Sequence, residues 1–114
     1  MGRIYKILGD EEWRAARAAG VFTGSEVDLA DGYIHFSDAA QAPETAAKWF
    51  SARPDLVLVA VEAQALGAAL EWEPSRGGQL FPHLYASLPV EAVLWAKPLP
   101  LGPDGRHRFP DLEP

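Results

Sequence analysis

Three groups of polar side chains interrupt apolar stretches of this sequence, and these are the places where it could do chemistry. They are His35 with Ser37 and Gln41, then Glu73, then His83 with Tyr85. In an extended chain, residues two positions apart point to the same side, which pairs His35 with Ser37. The same rule pairs His83 with Tyr85. We therefore predict that two polar faces meet across one cleft, with Glu73 and His83 opposite His35.

The first group is predicted to lie where a strand runs into a helix. Asp31-Gly32 is a turn signal, and residues 33–36 are aromatic or β-branched and favour a strand. Ser37 or Asp38 is then expected to cap a helix that begins near Pro43. Because the first N–H groups of a helix have no partner within it, such a place can hold a polar or anionic ligand.

Each of these residues also has a purely structural interpretation. The alternatives are a hydrogen-bonded core histidine for His35, a helix cap for Ser37, a bond to the helix start for Gln41, a surface carboxylate for Glu73, and a buried network for His83 with Tyr85. A metal is not expected, because His35, Glu73 and His83 lack the local spacing of metal sites. A serine hydrolase is disfavoured because no G-x-S-x-G elbow surrounds Ser37. Neither a P-loop nor a G-x-G-x-x-G motif is present.

The elements that must position these residues follow from periodicity and capping signals. We predict strands at 4–8, 27–29, 56–61, 70–73, 80–85 and 92–97, with helices at 10–20 (N-cap Asp10, closed by Gly20) and 43–51. The run 56–61 is apolar on both faces and should lie centrally in a sheet. The whole indicates an α+β fold with two helices in the N-terminal half and a bent or split, mostly antiparallel sheet. We expect one domain over residues 1–114, with a tail rich in Pro and Gly at 98–114.

Composition narrows the class of protein. The chain of 114 residues has no cysteine, which excludes disulfides and thiolate metal sites. A net charge of −6 with scattered basic residues argues against binding long nucleic acid. No apolar run reaches the roughly 18 residues of a membrane helix, and no signal peptide pattern opens the chain. We expect a cytoplasmic monomer whose partner is a small molecule.

An ordered set of motifs resembles a family of short bacterial proteins known as the domain of unknown function number nine-five-two. The motifs are Tyr5-Lys6, Glu12-Trp13, the segment 31–37 (DGYIHFS), Gln41, Trp72-Glu73 and the segment 81–85 (FPHLY). The resemblance runs from about Arg3 to Pro110. It implies the ADP-ribosylation fold, the split and bent sheet of ADP-ribosyltransferases.

The resemblance also implies roles for particular residues. The His35-Phe36-Ser37 segment is similar to the second half of the His-x-His-x-Ser stretch of NAD-dependent RNA 2′-phosphotransferases, and Glu73 takes the place of a glutamate that orients the nicotinamide ribose. Tyr5-Lys6 stands where related transferases carry a first-strand histidine, and the phosphate-binding arginines are missing. Glu73 and His35 are thus the catalytic candidates, and the ligand-binding candidates are Ser37, Gln41, His83, Tyr85 and Tyr5.

Three functions follow from these expectations. The first is a cleft that binds NAD or another nucleotide-like metabolite. The second is an NAD-dependent ADP-ribosyl or phosphoryl transferase, with NAD as a substrate and not as a bound cofactor. The third is a non-catalytic protein that acts through a partner surface.

Overall fold

A computed structural model describes residues 2–114, apart from the side chain of Arg76; Met1 lies outside the described residues. Within this range the fold is mixed α+β, with three α-helices and eight strands in three antiparallel sheets. The α+β prediction is therefore confirmed. In chain order the elements are β1 (Arg3–Gly9), α1 (Asp10–Ala19), β2 (Val21–Phe22), α2 (Glu26–Asp31), β3 (Ile34–His35), α3 (Ala42–Trp49), β4 (Leu56–Glu62), a 3-10 helix (Ala63–Ala69), β5 (Leu70–Pro74), a second 3-10 turn (Arg76–Gly78), β6 (Leu80–Leu84), β7 (Leu88–Pro89), a third (Val90–Ala92) and β8 (Val93–Pro98).

The largest sheet has the order β1-β4-β8 and forms the centre of the molecule. Its middle strand, β4, is buried along almost its whole length, which confirms the central position predicted for residues 56–61. Alternate residues of β1 and β4 enter two separate apolar clusters. Ile4 and Leu8 pack in one cluster with Ala16 of α1, whereas Ile7 packs in the other with Ala46 of α3. The sheet therefore has a helix on each face.

The sheet β3-β6-β5 carries three of the candidate residues, His35, Glu73 and His83, and a bridge next to β3 joins it to the central sheet. Just after β3, Ser37 forms a two-way bridge with Tyr5 of β1. The N–H of Ser37 donates to the carbonyl of Tyr5 at 2.9 Å, and the N–H of Tyr5 donates to the carbonyl of Ser37 at 2.7 Å. Residues of both sheets, together with Tyr5 and Ser37 of this bridge, line a groove.

The segment predicted as a strand at 27–29 is helical, and that prediction was wrong. The segment belongs to α2, so the N-terminal half contains three helices and not two. The side chain of Asp28 accepts a hydrogen bond from the N–H of Ser25 at 2.9 Å, which caps the helix start. At the other end, Gly32 adopts φ 87°, a left-handed conformation that glycine reaches without strain. These end signals outweigh the β propensity of Val27, whose side chain is largely exposed.

Two predicted helix caps also differ from the structure. Asp10 is the first residue of α1 and not its cap; Gly9 precedes the helix, and the Glu12 carboxylate accepts its N–H at 2.8 Å. The predicted closure of α1 by Gly20 is confirmed by its left-handed conformation. Ser37 does not cap α3, because its hydroxyl is bonded to Thr45 at 3.0 Å and its backbone to Tyr5. Asp38, the other predicted cap, does bond at the helix start: its carboxylate accepts the N–H of Gln41 at 2.8 Å, and its carbonyl accepts the N–H of Ala42 at 3.0 Å.

The segment after β8 lies against the central sheet. Leu99 is fully buried in the cluster on the α3 face. The hydroxyl of Tyr5 donates to the carbonyl of Glu113 at 2.6 Å, and Arg3 forms an ion pair with the Glu113 carboxylate at 2.6 Å. Among residues 2–114, no helix has the length and apolar character needed to cross a bilayer.

Candidate functional site

A groove of about 730 Å³ lies between the central sheet and the β3-β6-β5 sheet. Its walls are formed by residues of β1, α1, α2, β3, α3 and β6 and of the loops next to them. His35, Ser37 and His83 line it, as do the aromatic rings of Tyr33 and Trp49. This volume lies in the range of roughly 300–1,000 Å³ that is typical of small-molecule sites.

His35 belongs to an ionic network that also contains Lys6, Asp28 and Asp31. Its Nδ1 contacts the Asp28 carboxylate at 2.6 Å, and its Nε2 contacts Asp31 at 3.0 Å. The same Asp28 carboxylate accepts from Lys6 Nζ at 2.9 and 3.0 Å. Asp28 and Lys6 are both buried, with 2% and 5% of their surface exposed. Each polar atom of the His35 ring therefore already has a protein partner.

The Asp28 carboxyl is held in its ionised form. Burial by itself raises its pKa, but the hydrogen bond from His35, the charge of Lys6 and the N–H of Ser25 together lower it well below its usual range. Burial also lowers the pKa of Lys6, in spite of this carboxylate. Because Lys6 contacts both carboxylate oxygens directly, we treat the pair as ionised.

His83 belongs to a second, more open cluster. It is the register neighbour of His35 on β6, and the two ring centroids are 5.6 Å apart. Its Nδ1 contacts Glu73 of β5 at 2.7 Å, and the hydroxyl of Tyr85 donates to the same carboxylate oxygen at 2.7 Å. Tyr33 stacks on the His83 ring with centroids 4.1 Å apart.

Hydrogen bonding also sets the charge of this second cluster. The bond from Tyr85, followed by that from His83, lowers the pKa of Glu73, so the carboxylate is ionised. The same bond raises the pKa of Tyr85 to about 12. Burial, with the nearby charges of Asp31 and Glu73, raises the pKa of Tyr33. The two tyrosine hydroxyls are therefore neutral hydrogen-bond donors at neutral pH.

With this geometry in place, comparison with known proteins gives the family. The family model described as "Protein of unknown function (DUF952)" matches residues 7–96. The chain belongs to the DUF952 family. Its fold is similar to the crystal structure of protein CC0527 from Caulobacter crescentus, with a TM-score of 0.90, 57% identity and 93% of each chain covered. The solution NMR structure of the same protein gives a TM-score of 0.85 at 57% identity, covering 93% of this chain and 91% of that one. No match was found among curated proteins.

In this DUF952 chain, the candidate residues are not arranged as two facing walls. That prediction was wrong, because β3 pairs with β6 and places His35 directly beside His83 on one sheet. Glu73 lies on the next strand, β5, and reaches His83 diagonally across the strand pair. The rest of the groove lining comes mainly from β1, α1, α2 and α3.

The structure places the other candidates at different distances from the groove. Ser37 lines it, whereas Glu73 and Tyr85 lie outside its lining and reach it through His83. Gln41 joins the start of α3 to β6, since its amide donates to the carbonyl of Leu80 at 2.9 Å. Tyr5 is part of the groove wall, but its hydroxyl is bonded to the C-terminal segment.

Sequence reasoning missed the buried pair of Lys6 and Asp28, together with Tyr33. A signal existed for each member of the pair. Lys6 is a charged residue in an otherwise apolar strand, between Tyr5 and Ile7, and such a residue needs a buried partner. Asp28 stands three residues after Ser25, which is the spacing of a reciprocal helix cap. Their contact spans 22 residues of sequence, so the signals did not reveal that they pair.

The charges around the groove are mostly acidic. Six carboxylate residues line it, namely Glu11, Glu12, Glu26, Asp28, Asp31 and Asp55. The basic residues of the lining are Lys6 and Arg53, and each contacts one of these carboxylates. Among the described residues, no three His, Asp or Glu side chains converge as a metal site. The electrostatic field of the groove therefore favours the binding of neutral or positively charged groups over the binding of several phosphates.

Proposed function

We propose that this DUF952 protein binds a small polar metabolite of the nucleoside or nucleotide class in the groove. The observation that carries the proposal is the convergence of His35, Ser37 and His83 on one groove of about 730 Å³. A cavity of this kind, with a few polar groups among aromatic ones, is typical of ligand sites. The expected partner is a small molecule and not long nucleic acid or a membrane, and the expected state is a monomer.

Trp49 supports a ligand that contains a flat ring. It lines the groove, yet 64% of its surface is exposed. A large apolar side chain left open beside polar groups is available for stacking against a planar ring. Because the lining is acidic, we expect the protein to bind the flat ring and the sugar hydroxyl groups of the ligand and not its phosphates. Within the nucleotide class, NAD suits the groove through its positively charged nicotinamide ring.

A thermal-shift and calorimetry screen with nucleosides, nucleotides and NAD tests this function. A bound ligand at about a hundredfold excess over Kd should stabilise the fold by roughly 2.7 kcal/mol. Trp49→Ala should weaken binding, while the matched variant Trp72→Ala should not, because Trp72 is also exposed but lies outside the groove lining. A screen in which no ligand stabilises the wild type would instead favour a protein that acts through a partner surface.

The second candidate is an NAD-dependent ADP-ribosyl or phosphoryl transferase. The observation that favours it is Glu73, an ionised carboxylate held 2.7 Å from both His83 and Tyr85, which could stabilise a ribosyl cation. The proposal includes the ADP-ribosylation fold, and a sheet divided into separate antiparallel parts that meet at the Tyr5–Ser37 bridge supports it.

The transferase is tested by nicotinamide release from NAD. If Glu73 stabilises the transition state, Glu73→Gln should reduce the rate by roughly 10²-fold or more. Equally negligible rates for the wild type and Glu73→Gln would exclude this activity and leave the binding function in place.

A further inference from the structure

The two ring nitrogens of His83 have different surroundings. Nδ1 is occupied by Glu73, whereas Nε2 has no hydrogen-bond partner among the side chains and backbone groups that the structure describes. The described side chains include no fully buried nitrogen or oxygen without a hydrogen-bond partner, so Nε2 must be reached by solvent. His83 as a whole is 4% exposed, and the solvent space that it lines is the groove. A molecule in the groove can therefore contact Nε2.

The surroundings of His83 decide which nitrogen carries the proton. The Glu73 carboxylate is ionised and can only accept hydrogen bonds, so the proton of the neutral ring lies on Nδ1. Nε2 then carries the free electron pair. The other polar and charged groups near the ring are Tyr33 just before β3, His35 on β3, Tyr85 just after β6, and Glu71, its register partner on β5. Stacking on Tyr33 holds the ring in this orientation.

We propose that His83 is a proton acceptor for a hydroxyl group or water molecule in the groove, with Glu73 as its positioning residue. Nε2 takes the proton, and the electron pair of the broken O–H bond stays on the oxygen, which becomes a nucleophile. The ring is then positively charged and still donates from Nδ1 to Glu73. The oxygen bonds to an electrophilic carbon of the bound molecule, such as an ester carbonyl carbon, while the bond from that carbon to its leaving oxygen breaks and the electron pair goes to the leaving oxygen. The proton on Nε2 passes to that leaving oxygen, which restores the neutral ring. This step rests on the groove as the binding site of the proposed function.

The tautomer can be observed directly by ¹⁵N NMR of the labelled wild-type protein, which has three histidines. At mildly alkaline pH, we expect the His83 ring to show a protonated Nδ1 and an unprotonated Nε2, with these signals lost in His83→Asn. Glu73→Gln should weaken this tautomer preference while the backbone spectrum stays folded. A His83 ring with its proton on Nε2 would overturn the proposal.

Reactivity is tested with p-nitrophenyl acetate, whose cleavage by water gives acetate and nitrophenolate. We expect the wild type to hydrolyse this ester at least about tenfold faster than His83→Asn, and Glu73→Gln to fall between them. His107→Gln is the control, because His107 itself does not line the groove and should not affect the rate. The glutamine amide can still donate to the Arg53 carbonyl that His107 Nε2 contacts. Should His83→Asn fail to fold, Glu73→Gln serves in its place.

The two proposals fail in different ways. Equal ester hydrolysis by the wild type, His83→Asn and Glu73→Gln overturns the role of His83, whatever the ligand screen shows. Hydrolysis that depends on His83, with no nucleoside or nucleotide stabilising the protein, supports the proton acceptor and overturns the ligand class proposed above.

Discussion

His35 and His83 lie side by side on paired strands, yet their surroundings give them different capacities. His35 has a carboxylate on each ring nitrogen, Asp28 on one and Asp31 on the other. His83 has one carboxylate, Glu73, on Nδ1, and its Nε2 has no hydrogen-bond partner among the described groups. A histidine whose two nitrogens are both occupied stabilises structure, whereas one with a single nitrogen occupied can act on a ligand. The number of partners, and not the residue type, separates the two.

The neighbouring carboxylates differ in burial as well. Asp28 is almost completely buried and bonded to Lys6. If its negative charge is removed, water cannot reach the Lys6 ammonium group to stabilise it instead. The side chain of Glu73 is 38% exposed, and solvent screens its charge. We therefore expect changes at Asp28 to affect the stability of the fold, and changes at Glu73 to affect the properties of its neighbours. The following predictions test this difference.

The largest effect is expected for Asp28→Asn. The substitution leaves the buried Lys6 without a counter-charge, and breaking a buried ion pair in this way costs about 3–5 kcal/mol. Urea unfolding measures the loss. Asp31→Asn is the matched control, because its carboxylate contacts the same His35 ring but is 47% exposed, and it should cost less than about 1 kcal/mol. Equal losses for the two variants would contradict the distinction between buried and exposed partners.

Acidification should remove part of the same stabilisation. The pKa of Asp28 is lower in the folded protein than its value of about 3.9 in an unfolded chain. Its contribution is therefore fully present above that value and is lost as the pH falls towards the folded pKa. We expect the free energy of unfolding to decrease from about pH 5 down to pH 2, as measured by urea titrations at each pH. Asp28→Asn should show a shallower decrease, whereas a curve parallel to that of the wild type would mean that other carboxyls cause it.

A moderate effect is expected for Tyr33→Leu, which affects both histidines. The Tyr33 ring is 4.1 Å from that of His83 and 4.6 Å from that of His35, measured between centroids. Loss of these ring contacts should reduce stability by about 0.5–1.5 kcal/mol. Tyr33→Phe retains the ring and is the control. If the two variants lose the same amount, the hydroxyl and not the stacking is responsible.

The smallest effect on stability is expected for Glu73→Gln. Its effect should appear instead in Tyr85, whose pKa of about 12 depends on the hydrogen bond to this carboxylate. Removing the charge should lower that pKa towards the ordinary value of about 10, as followed by NMR of the tyrosine rings against pH. Tyr5, which is bonded to the Glu113 carbonyl, should titrate as before. If the pKa of Tyr85 is the same in Glu73→Gln as in the wild type, the Glu73 carboxylate does not determine that pKa.

Local patterns were sufficient for much of the fold. The unbroken apolar run 56–61 predicted the central strand, and Gly20 predicted the end of α1, because both depend on residues close in sequence. The segment 27–29 was predicted wrongly because its own residue types favour one structure and the residues on either side of it favour another. Its β-branched and apolar residues favour a strand, but the caps at Ser25 and Gly32 make the segment helical.

The sequence by itself determined the α+β class and the central strand, and it singled out some of the polar residues that line or support the groove, but not Lys6, Asp28 or Tyr33. Only the tertiary structure decided how those residues share hydrogen bonds. Strand pairing places His35 beside His83, and the α2 helix brings Asp28 to Lys6 across 22 residues of chain. Local propensity acts over a few residues, whereas these contacts depend on strand register and helix position. Which histidine remains open to a ligand is therefore a property of the assembled fold.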